Sequence, residues 1–170
     1  MDRKILPLLL LVPCTLGLAA GAANDADFAA KAADGGMAEV ITGQLAAQKG
    51  TDPQVRMFGQ RMVTDHSKAN DELKSVAAKD NITLPAEPGL KHKTTASKLG
   101  NMSGADFDKA YTQEMIKDHE EDVALFKKEA QSGSNPDMKA FAQKTLPTLQ
   151  EHLDMIRKIS SGEKSVSRSP

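Results

Sequence analysis

The chain has 170 residues, 22 Lys+Arg against 23 Asp+Glu, a formal net charge of -1 and 39% hydrophobic residues, which suits one soluble domain with a real core. Trp is absent, Tyr occurs once and Phe five times, so packed helices are favoured over sheet. The near-balanced charge excludes the basic footprint of a nucleic-acid binder.

Residues 1–23 read as a secretory signal peptide, with Arg3 and Lys4 at the start, an apolar run from Ile5 to Leu18, and small residues at Ala20, Gly21 and Ala22. That run is too short and too broken by proline to span a membrane. Cleavage near Ala22 or Ala23 removes Asp2, Arg3 and Lys4 and takes the net charge to about -2. Cys14, the single cysteine, lies in this segment behind Pro13 rather than a small residue, which argues against lipidation. The mature chain then has no thiol for catalysis, ligation or a disulfide. It is expected in the periplasm, soluble or attached at the outer membrane, with no membrane-spanning segment.

Four helices follow. The first is expected over 26–48 and stops at Gly50. Asp52-Pro53, an N-cap followed by proline at the first helical position, opens the second over 53–79. A crossover over 80–103 carries two prolines and a short helix near Lys93–Leu99. Ser103-Gly104-Ala105-Asp106 has the form of a capping box and opens the third helix over 104–131, which Gly133 stops. Asn135-Pro136 repeats the Asp-Pro device and opens the fourth over 136–160, and the polar tail 161–170 is expected to be disordered.

The two halves echo each other. Ala26-Asp27-Phe28 recurs as Ala105-Asp106-Phe107, and TDPQVRMFGQR from Thr51 recurs as SNPDMKAFAQK from Ser134. This predicts an all-α four-helix bundle built from two αα-hairpins with a long central crossover. A helix over 53–79 spans about 40 Å, which a connection of that length can traverse.

The apolar stripes place rings in the core. The second helix reads Val55, Phe58, Met62, His66, Ala69, Leu73 and Val76 at spacings of three or four, so His66 stands where a leucine is expected. His152 is in register in the fourth helix and His119 lies towards one edge of the stripe in the third. In the first helix a small-residue stripe (Phe28, Ala32, Gly35, Gly36, Gly43, Ala46) contains Glu39, but Met37, Ile41 and Leu45 form a competing stripe that would turn Glu39 outward. All four residues lie near the middle of their helices, so they meet at one level whichever way each helix runs. Glu39, His66, His119 and His152 form a candidate first shell of three imidazoles and a carboxylate for one transition metal. The alternative is a buried polar network, each ring bonded to a carbonyl or to Tyr111, that only fixes packing. His92, in the crossover, reads as an exposed loop residue.

An acid precedes each core histidine: Asp65, Asp118 and Glu151. Adjacent helical residues diverge by about 100°, so such an acid serves another helix's ring as an orienting partner or simply flanks the core in solvent. Met62, Met115 and Met155 lie a turn from the histidines, a set that suits copper, but a methionine stripe at helical spacing is more often core. Iron, manganese or zinc is therefore expected ahead of copper.

The runs F-x6-GGMAEV, FGQRMVTDH, Y-x3-M-x2-DH and LPTLQEHL resemble the bacterial domain of unknown function 4142 family over about Asp25 to Ile159. The resemblance implies export, a label of predicted outer-membrane protein and a ferritin-like helical bundle, with no established activity. Di-iron bundles of that kind use Glu-x-x-His. Here Val63, Ile116 and Leu149 occupy the third position before each histidine, which argues against a carboxylate-bridged di-iron centre and its oxidase chemistry. No Ser/His/Asp set, phosphate loop or cysteine motif supports another enzyme. The expected function is metal handling or a role in oxidative or envelope stress, with a metal ion as partner. A non-catalytic envelope module stands as the alternative.

Overall fold

The computed structural model describes residues 16–162, with side chains described from Asn24 onward. Residues 1–15 of the expected signal peptide and 163–170 of the expected tail lie outside the described residues. Five helices follow in chain order: α1 (Leu16–Lys49), α2 (Pro53–Lys79), α3 (Leu90–Gly100), α4 (Gly104–Ser132) and α5 (Pro136–Ser161), with no strand among the described residues. The fold is an all-α helical bundle. Helix α1 begins well before the expected Ala26 start.

The helix starts follow from their caps. Asp52 accepts a hydrogen bond from the Gln54 amide at 2.7 Å, and Asn135 accepts from Asp137 and Met138 at 2.9 Å, each ahead of a proline whose missing N–H costs nothing there. The capping box expected at Ser103 does not form. Ser103 makes no side-chain cap bond, and Gly104 adopts φ 64°, a left-handed conformation that takes the backbone out of box geometry.

Helices α1 and α2 form one antiparallel hairpin, α4 and α5 the other. Two glycines let the first hairpin close. A Cβ on Gly43 would lie 2.8 Å from the Gly59 carbonyl oxygen, and one on Gly59 would lie 2.6 Å from that of Gly43, so neither position has room for a side chain. One turn from Gly43 on the same face is Glu39, opposite His66. The next contact along, Gly36 against Asn70, keeps the same register.

The apolar core falls into two clusters. One gathers Phe28, Leu73, Phe126, Met138, Phe141 and Leu149, and the other Phe58, Met62, Phe107, Tyr111, Met115 and Ile156. Each long helix runs from one cluster to the other, and so does the crossover. Ile82 and Leu84 pack at the first cluster, Leu99 and Met102 at the second. The connection therefore traverses the bundle as its length predicted, with α3 lying against α1 and α4. Lys49 donates to the Gly100 carbonyl and anchors the end of α3.

Reciprocal carboxylates tie the hairpins together. Asp25, in the N-terminal third of α1, accepts from Ser134 and Asn135 amides of the α4–α5 turn at 3.0 and 2.7 Å. Asp108 in α4 accepts from Thr51 and Asp52 amides of the α1–α2 turn at 3.0 and 2.8 Å. Each turn is thus held by the opposite hairpin through charge-assisted bonds.

Candidate metal centre

Between the two apolar clusters lies a polar layer. Glu39 is 1% exposed, His66 5%, and His119 and His152 0%. The question about α1 is therefore settled by packing. The small-residue stripe faces inward with Glu39, while Ile41 is exposed and Met37 and Leu45 are only half-buried.

His66 from α2, His119 from α4 and His152 from α5 each offer a ligand atom within 4.8 Å of the others. Their ring centroids stand 5.4 to 5.7 Å apart, and Phe58 packs 6.1 and 6.2 Å from the rings of His119 and His152. The three histidines lie close enough to hold a metal.

The hydrogen bonds decide which nitrogens are free. His119 donates from Nδ1 to the Met115 carbonyl at 2.9 Å, and His152 donates from Nε2 to Asp65 Oδ2 at 2.9 Å. The ring nitrogens left without a partner, and buried, are Nε2 of His66, Nε2 of His119 and Nδ1 of His152. A network that only fixed packing would satisfy both nitrogens of each ring, and Tyr111, the other expected partner, has its own hydroxyl unbonded. Each orphaned buried acceptor costs about 1–3 kcal/mol, which a cation repays. The residues fit a metal ion.

Glu39 stands outside the close group of three. Its Oε2 lies 2.9 Å from His66 Nδ1 and its Oε1 3.3 Å from His119 Nδ1, yet neither approach is aligned as a hydrogen bond and both oxygens lack a donor. Asp65, the acid that precedes His66, serves the ring of another helix, as the divergence of neighbouring residues allows. Arg61 holds Asp65 from the far side at 3.1 Å and also reaches Glu151 at 2.9 Å. Met62 and Met115 belong to the apolar cluster.

Burial sets the protonation states. It lowers the pKa of His66 and His119, and pushes His152 down to about 3, so all three rings are neutral and able to bind metal at pH 7. Burial raises Glu39 to about 7. It also raises Asp122 of α4, and the nearby Glu39 charge adds to that rise. Burial opposes ionisation of Asp65, but bonds from His152 and Arg61 hold its pKa below the ordinary range.

Residue spacing gives Asp122 no role, yet the structure brings it to the site. It lies beside Glu39, where Gly35 leaves space; a Cβ there would meet Asp122 Oδ1 at 3.5 Å. The paired glycines opposite an acid one turn after a core histidine were the available signal. His92 is also misread as a loop residue. It lies in α3, half-buried, with Nδ1 3.0 Å from Asp34.

The family described as Domain of unknown function (DUF4142) matches residues 15–159. Two solved structures share the fold. A DUF305 fragment from Deinococcus radiodurans has a TM-score of 0.72 at 9% identity, covering 82% of this chain and 96% of that one. A conserved hypothetical protein from Mycobacterium tuberculosis has a TM-score of 0.65 at 12% identity, covering 88% and 99%. No curated protein matches the chain. Among the described residues, no helix is long and apolar enough to cross a membrane.

Proposed function

The chain belongs to the DUF4142 family, and on that premise we propose that it is an exported, ferritin-like metal-binding bundle. His66, His119 and His152 hold one transition-metal ion, and Glu39, which rests against the Nδ1 edges of His66 and His119, turns from there to complete the shell as the fourth ligand. The observation that carries this reading is three buried rings on three different helices, within ligand reach of one another and each with a nitrogen that lacks a partner. Two of the rings have one nitrogen already bonded, which fixes the ring and leaves the lone pair of the other nitrogen free. Glu39, with two unpartnered oxygens against two of the rings, brings the negative charge that a divalent ion needs.

Imidazole and carboxylate donors suit iron, manganese or zinc, with copper behind them. Three protein nitrogens, with no bridging carboxylate in Glu-x-x-His register, support one ion rather than a coupled pair. The cellular role proposed is metal handling or oxidative or envelope stress in the periplasm. The basic start and apolar run at the N-terminus support export, and attachment at the outer membrane belongs to the same proposal.

The test is metal analysis of untagged protein after reloading with iron, manganese, zinc or copper. One ion per chain is expected, falling to near zero in His66→Ala/His119→Ala/His152→Ala. Stoichiometry near zero in the folded wild type would leave the second reading, a non-catalytic envelope module whose histidines only fix packing.

A further inference from the structure

Outside the histidine cluster, a cleft of about 380 Å³ opens between α1, α3 and α4. Its walls carry Asp34, Asp118, Glu121 and Asp122, and Glu39 closes its floor. Lys31, Lys91 and His92 also line it. Three of these charged groups are engaged with acids: Lys91 lies 3.5 Å from Glu121, His92 3.0 Å from Asp34, and Lys31 2.7 Å from Asp27. Among the described residues, neither Asp118 nor Asp122 pairs with a lysine or arginine.

Crowded acids alone would be a solvated face. Glu39 makes this cleft different. It is 1% exposed, both its oxygens lack a hydrogen-bond donor, and it belongs at once to the cleft and to the histidine layer. Asp122 likewise lines the cleft and, on the inner side, a void of about 20 Å³ shared with Glu39 and His66. That void is large enough for a single water or ion. The two carboxylates therefore stand between open solvent and the imidazoles.

The opposite side of the bundle offers a poorer path. The hollow between α2 and α5 contains Asp65 and Glu72, both paired with cations (Arg61 at 3.1 Å and Lys144 at 2.7 Å), and neither Glu39 nor a histidine of the centre lines it.

We propose that the acidic cleft between α1, α3 and α4 is the loading route by which a hydrated divalent metal ion reaches the histidine centre, handed inward by Asp122 and Glu39. This rests on the histidine centre being a metal site. A cleft whose acids outnumber its bases concentrates cations and raises their rate of arrival. The rim acids Asp118 and Glu121 attract the ion, whereas the histidines set how tightly it is finally held. Entry rate and final affinity therefore depend on different residues.

The experiment loads the full chain with Co²⁺ and follows ligand-field absorption in time and at equilibrium. Asp118→Asn/Glu121→Gln is compared with wild type and with Glu72→Gln on the opposite side. The double variant should load about tenfold more slowly at low salt, with unchanged final occupancy, while Glu72→Gln loads as wild type. Added salt should slow wild type towards the double variant. Equal loading rates would overturn the route and leave the histidine site standing, and lower final occupancy would overturn it by making the rim acids ligands. Wild type that takes up no Co²⁺ would overturn the centre first and the route with it.

Discussion

His152 and Asp65, on different helices, meet through one hydrogen bond of 2.9 Å from Nε2 to Oδ2, and that bond decides which nitrogen of the ring faces the interior. Nδ1 is left buried and without a partner, free to bind a cation. Asp65→Ala removes the orienting acid without touching a ligand. Metal affinity should fall about 10- to 100-fold, measured by competition with a chelator. Unchanged affinity would mean the bond merely decorates the ring.

The same ring gives a pH dependence. His152 has a folded pKa of about 3 against 6.5 in the open chain, so unfolding takes up a proton between those values. Stability from its neutral burial is present above pH 6.5 and lost as pH falls towards 3. The raised pKa of Glu39 acts in the opposite sense: burying it protonated favours the fold at low pH, and this is lost as pH rises from 4.5 through about 7. Comparing wild type with His152→Gln removes the Glu39 contribution from the difference. Between pH 7.5 and pH 5, metal-free wild type should lose about 2 kcal/mol relative to the variant in urea unfolding. Parallel pH curves for the two proteins would refute the neutral burial of His152.

A bound ion joins α2 of one hairpin to α4 and α5 of the other, so metal should stabilise the folded chain. At a hundred times the dissociation constant the gain is about 2.7 kcal/mol. For a chain of this size that raises Tm by about 5–10 °C, read by calorimetry, and a chelator should reverse it. The triple alanine variant should show no metal-dependent shift.

Removing either carboxylate clamp frees amides of the opposite turn. Asp25 is 2% exposed and accepts two backbone bonds, so Asp25→Ala should cost about 1.5–3 kcal/mol in chemical unfolding. Asp108→Ala should cost a similar amount, and faster hydrogen exchange at Thr51 and Asp52 would identify the cause.

Glycine at the α1–α2 contact is a matter of space. Gly59→Ala places a methyl group 2.6 Å from the Gly43 carbonyl oxygen and 2.7 Å from Ala46 Cβ. The helices must separate, at about 1–3 kcal/mol of stability by thermal or urea unfolding. A neutral or stabilising result would show that the hairpin is less tightly closed than these contacts require.

Much of this was legible from residue spacing. Apolar periodicity and the Asp-Pro and Asn-Pro starts located the long helices, because burial of one face and satisfaction of the first amides are local demands on sequence. The register of His66, His119 and His152 with the apolar stripes placed them inside for the same reason. Glu39 was ambiguous because α1 carries two stripes, and only the fit of its glycines against α2 chose between them. Asp122, Asp25 and Asp108 were not legible. An isolated acid on a helix flank reads as solvated, and its burial depends on which partner helix covers it. The cleft was equally hidden, since one wall is α3, whose docking on α1 and α4 is a tertiary choice.

The separation of the core into two clusters by a layer of imidazoles and carboxylates divides the molecule into two poles with a polar, buried equator. Lesions at Phe141 and at Phe107 lie in different poles, so their effects should sum rather than compound. Each pole can therefore accumulate change largely on its own, with the equator and Val123, which packs against both, carrying the fate of one to the other.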